Sequence, residues 1–116
     1  MADWKVWQKK APVRGPMVAF CRHYIALNKT LAEYVQRHGF EYAEIWFRED
    51  LSEVHIVLLK MPSKNAYRVR ICQSRRGLYG VISARAFSRY VRSKRGMHPD
   101  RVEIRGTNTI VLRWNE

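Results

Sequence analysis

Arginine is the residue type most able to do chemistry here, and it is concentrated in one part of the chain. Between Lys64 and Arg101 stand eleven Lys and Arg against a single acid, Asp100. Arg85, Arg89 and Arg92 recur at i, i+4 and i+7, the spacing of one helical stripe, with Lys94 and Arg95 just beyond. Arg68 and Arg70 alternate within a β-prone run and share a face, and Arg75 and Arg76 precede Gly77 in a polar stretch. A guanidinium fork fits phosphate oxygens and guanine edges, so the chemistry expected of this set is polyanion recognition. Like charges at i, i+4 repel mildly, a cost that an anion would remove. Tyr67 and Tyr79 lie among these residues and are candidates for stacking on bases, whereas Tyr90 is expected in the core.

No reaction is legible beside them. Cys21 and His23 are spaced to share a strand face, but no carboxylate near them in sequence would orient the histidine. A small buried thiol is the simpler reading of Cys21. The four histidines show no metal spacing, and neither Cys21 nor Cys72 belongs to a CxxC pair, so no metal or cofactor is expected. Both thiols are read as reduced, one disulfide between them being the alternative. Glu49, Asp50 and Glu53 read as turn residues. No Gly-rich phosphate loop and no other catalytic motif appears, so an enzyme is not expected.

The whole composition agrees with a binding role. Twenty-two Lys and Arg oppose ten Asp and Glu, a formal charge of +12 on 116 residues. Such an excess steers polyanions, and counterion release then drives nucleic-acid binding. Fourteen aromatics (Trp 4, Tyr 6, Phe 4) within 47% apolar residues are enough for one packed core. No secretory signal and no membrane-length apolar run is visible, so a cytoplasmic location is expected and a membrane partner is not.

The elements that would position the arginines can be read from caps and periodicity. Residues 1–16 read as a basic arm, with Trp4 and Trp7 available to pin it; residues 17–116 read as one globular domain. Met17 to Leu27 reads as a strand, bent at Arg22 and His23. Asn28 is a good N-cap for a helix carrying Leu31, Ala32 and Val35, which Gly39 ends. Ala43 to Phe47 and Val54 to Leu59 form a hairpin around the polar 49–53 turn. The second half repeats the order. A strand spans Ala66 to Cys72, 73–77 is a basic loop, and Leu78 to Ile82 is a short strand. Ser83 is the cap of the next helix, with Ile82 and Phe87 at staple positions, and Gly96 is the stop. Val102 and Ile104, then Ile110, Leu112 and Trp114, form the last hairpin around Gly106-Thr107-Asn108. Asn28 superposes on Ser83, Tyr34-Val35 on Tyr90-Val91, and His55-Ile56-Val57-Leu58 on Thr109-Ile110-Val111-Leu112. The fold class expected is α+β, mostly β: two β-α-β-β halves, 17–60 and 61–116, in one barrel or sheet with a pseudo-two-fold axis.

This order, with Ile25-Ala26-Leu27-Asn28, Gly39 and Val54 to Leu58 in one half and Val81-Ile82-Ser83, Gly96 and Ile110 to Arg113 in the other, resembles the AbrB/MazE/MraZ swapped-hairpin family. The resemblance implies a small DNA-binding transcriptional regulator, with one chain supplying both units as a monomeric pseudo-dimer, or a homodimer. Lys29 and Ala84 stand where the family's helices usually open with Pro. Nucleic acid is the expected partner, DNA ahead of RNA. The alternatives are an antitoxin- or inhibitor-type module docking an acidic protein, with the near-neutral first half and Trp46 as its partner face, and an RNA or single-strand binder.

Overall fold

The computed structural model describes residues 3–6 and 15–115. Ten elements follow in order: β1 (Val18–Phe20), β2 (Ile25–Leu27), α1 (Lys29–His38), β3 (Tyr42–Phe47), β4 (Glu53–Leu59), β5 (Tyr67–Ser74), β6 (Gly77–Ile82), α2 (Arg85–Arg95), β7 (Arg101–Arg105) and β8 (Thr109–Arg113). The strands form one antiparallel sheet in the order β1-β2-β6-β5-β3-β4-β8-β7. It curls into a nearly closed barrel. At the gap, the Phe20 N–H donates to the Met97 carbonyl at 2.7 Å, just before β7.

Alternation explains the core. Val54, Ile56 and Leu58 of β4 and Ile110, Leu112 and Trp114 in and after β8 point inward, all at most 8% exposed. Leu31, Ala32 and Val35 of α1 and Val91 of α2 are buried against the same core. The Asn28 side chain caps α1 by accepting from Leu31 N–H at 3.3 Å. It also accepts from Met17 N–H at 3.0 Å, so the cap ties the helix to the chain before β1. Gly39 sits at φ 72°, the left-handed conformation that ends the helix. No helix among the described residues is long and apolar enough to cross a membrane.

Several expectations are corrected. Met17 to Leu27 is not one bent strand but a hairpin, with Phe20 paired to Ile25 and Cys21 N–H donating to Tyr24 O at 2.9 Å. Arg22 and His23 are the tip of that turn, since two polar side chains inside an apolar run favour the surface. Each helix is therefore preceded as well as followed by a hairpin, and the halves read β-β-α-β-β. The basic loop at 73–77 shrinks to Arg75-Arg76, because the β5–β6 ladder runs out to Ser74 and Gly77. Ser83 does not cap α2: the cap is Ala84, without a side-chain bond, so the staple positions move off Ile82 and Phe87. Ala84 N–H instead turns back to Ile82 O at 2.8 Å. Trp4 is 95% exposed and pins nothing, and Trp7 lies outside the described residues. Cys21 and Cys72 are free thiols.

Candidate nucleic-acid interface

Strand register decides which basic residues meet. Ile82 of β6 pairs with Ile25 of β2 on one side and Val69 of β5 on the other. The β1–β2 turn, the start of β5 and the start of α2 therefore share one end of the sheet. Arg22 and His23 lie in that turn, Arg68 and Arg70 flank Val69, and Arg85 follows Ile82 by three residues. The buried Ser88 hydroxyl fixes the assembly. Its oxygen lies 2.6 Å from Cys21 O and 3.1 Å from Tyr24 O, its one proton shared between the two carbonyls that flank Arg22 and His23. The result is a basic cluster of Arg22, His23, Arg85 and Arg89. His23 titrates below its ordinary range, from partial desolvation first and then from the positive field of Arg85, Arg22 and Arg89.

The remaining nominated residues fall elsewhere. Arg75 and Arg76 sit at the opposite end of β6, roughly 17 Å away at the rise of an extended strand. There the Lys29 stem lies across Gly77, where an added Cβ would be 3.1 Å from Lys29 Cδ. Arg92 and Lys94 are exposed on later turns of α2. Arg95 is committed to structure: Nε donates to Leu51 O at 3.1 Å and Nη2 to Asp50 O at 3.0 Å, which binds the β3–β4 turn to the end of α2. Among the described residues, no nominated arginine or lysine has a carboxylate within ion-pair distance.

The acids that do pair lie apart from that cluster. Glu53 accepts from Arg113 Nε at 2.7 Å, with Arg48 Nε and His55 Nε2 at 3.5 and 3.4 Å. The Arg113 hydrogen bond holds the Glu53 carboxyl below its usual range, against partial desolvation. A depressed carboxylate contributes stability that is present above its unfolded pKa and lost as pH falls through its folded one. Glu53→Gln is expected to cost about 1 kcal/mol at neutral pH, discounted for the exposure of Arg113. It should also flatten the loss of stability below pH ~4.5, measured as melting temperature against pH.

The tyrosines divide. Tyr79 pairs with Cys72 in register and shares the outer face with Arg70; the neighbouring thiol pushes its hydroxyl up. Tyr67 alternates onto the face of Val69 and Ile71, away from Arg68 and Arg70. Tyr90, expected in the core, is 40% exposed. Sequence reasoning passed over Arg22 and His23 as part of a strand; their polarity inside an apolar run was the available signal. It also passed over an aromatic ledge in which Phe47 packs on Phe87 and Tyr90, ring centroids 5.2 and 6.4 Å apart.

Comparison of this chain with family models, with curated proteins and with solved structures finds no match.

Proposed function

We propose that this protein binds nucleic acid through the end of the barrel where the β1–β2 turn meets α2. The observation that carries the reading is the cluster of Arg22, Arg85 and Arg89, exposed, without carboxylate partners among the described residues and held by Ser88. Like-charged side chains kept together on a rigid base are pre-organised for phosphate oxygens. A role as a DNA-binding regulator rests on the sequence resemblance alone. The test is a labelled random-sequence DNA duplex titrated with salt. Log affinity is expected to fall linearly with log salt concentration, by about 0.9 per phosphate engaged. No binding at low salt would sink the reading.

An internal two-fold relation between residues 17–60 and 61–116 is part of the proposal. Exchanging β1–β4 for β5–β8 leaves the sheet order unchanged once its two ends are joined. Two pairings would lie on the axis, Ala26 with Val81 and Ile56 with Ile110. These are residues that superpose when the halves are aligned in sequence. The β1–β2 turn then corresponds to the β5–β6 turn with Arg75 and Arg76, and the second basic end becomes a weaker counterpart of the first. Lys29 there is drawn to Glu33, 3.8 Å away.

A further inference from the structure

Three of the exposed aromatic side chains lie near the turn end of the β3–β4 hairpin: Trp46 and Phe47 close β3, and Tyr90 of α2 packs on Phe47. Trp46 is 63% exposed, Phe47 48% and Tyr90 40%. Leaving that much ring surface in water is unfavourable, and contiguous exposed apolar surface marks a binding site more often than chance. Beside them lies a pocket of about 350 Å³ lined by Trp46, Phe47, Arg48, Glu53 and His55. Trp46 and His55 are directly opposite in register, so indole and imidazole stand side by side on the outer face. His55 Nε2 is buried and faces the Glu53 carboxylate at 3.4 Å. Arg48 extends into solvent with only a 3.5 Å contact to Glu53. The rim is rigid, because Arg95 ties the neighbouring turn to α2 and Phe47 packs on Phe87.

We propose that this pocket takes an unpaired nucleobase of a single strand whose backbone continues along α2. The proposal rests on the nucleic-acid reading and narrows it to unpaired stretches. Each part of the pocket matches part of a nucleotide. The ring faces of Trp46 and Phe47 offer stacking surface to any base. The Glu53 carboxylate, which lines the pocket beside His55, offers an acceptor at a base edge. Arg48 offers a charge to the adjoining phosphate. Tyr90 carries the ledge onto α2, where Arg89 and Lys94 are exposed. A duplex, with its bases stacked internally, could use the arginines but not the pocket.

The test uses the full chain, a short labelled oligothymidylate, the same oligonucleotide with abasic sites, and a duplex of equal length. Trp46→Ala is expected to weaken oligothymidylate binding roughly 5-fold or more, the span of one base–aromatic stack. Duplex affinity should change less than about 2-fold, as phosphate contacts alone would dictate. Trp46→Phe should restore most of the loss, and the abasic strand should bind wild type as weakly as oligothymidylate binds Trp46→Ala. Trp46 is exposed, so an unchanged melting temperature verifies the fold. If Trp46→Ala binds oligothymidylate as tightly as wild type while the duplex also binds, the pocket is not a base site and the basic surface stands. If neither oligonucleotide binds at low salt, both readings fail.

Discussion

Phe20→Ala is expected to destabilise the protein by about 3–5 kcal/mol, a large part of a typical domain's total of about 5–15. Phe20 is fully buried in the shortest hairpin of the sheet, yet it touches elements far away in sequence. Its ring lies 6.3 Å from Phe87 on α2 and 5.8 Å from Trp114 beyond β8. Its backbone N–H makes the bond to Met97 that bridges the gap in the barrel. One side chain thus joins β1 to the second helix and the last strand, and its loss leaves a cavity at the seam. Melting temperature should fall by roughly 12–20 °C, and Phe20→Leu, which keeps most of the volume, by less than half of that. A Phe20→Ala protein melting within a few degrees of wild type would show that the seam does not hold the barrel together.

Local signals explain what was legible beforehand. Asn28 acts through its own side chain and Gly39 and Gly96 through their own backbone, so both helices, the start of α1 and the ends of both were readable. Alternation in β7 and β8 was readable for the same reason, since inward and outward residues differ within a few positions, whereas β4 read only as an apolar run. The β1–β2 hairpin was not, because its strands have three residues each, too few to show a period, and its turn has no glycine. The cap of α2 was misplaced because Ser83 has the favoured chemistry, while Ala84 takes the position once its N–H turns back to Ile82. The exposed arginines could be named from composition, but their division between two ends of β6 depends on register, a property of pairs of strands. Arg95 illustrates the limit: it belongs to the helical arginine run in sequence, and only the fold brings it to the carbonyls of Leu51 and Asp50.

Replacing Arg22, Arg85 and Arg89 together by alanine is expected to weaken duplex DNA binding by roughly two orders of magnitude at moderate salt, at about 1 kcal/mol or more for each phosphate no longer engaged. The salt slope should fall by about 2–3, near 0.9 for each such phosphate. Arg22 makes the prediction specific, because it is distant from α2 in sequence and joins the cluster only through Ser88. Arg75/Arg76→Ala is the comparison: a smaller loss places the duplex on the α2 end, and an equal loss means that the DNA backbone is held at both ends of β6. His23 adds a pH signature. In the free protein, partial desolvation and the arginine field hold its pKa below the ordinary value. A bound polyanion cancels that field and raises the pKa, so the complex holds more protons than the free protein. Affinity should therefore rise as pH falls through about 6.5 and below. His23→Gln should abolish that rise while leaving the salt slope at neutral pH in place. A triple variant that keeps wild-type affinity and slope would remove the cluster from the interface and leave nothing for His23 to sense.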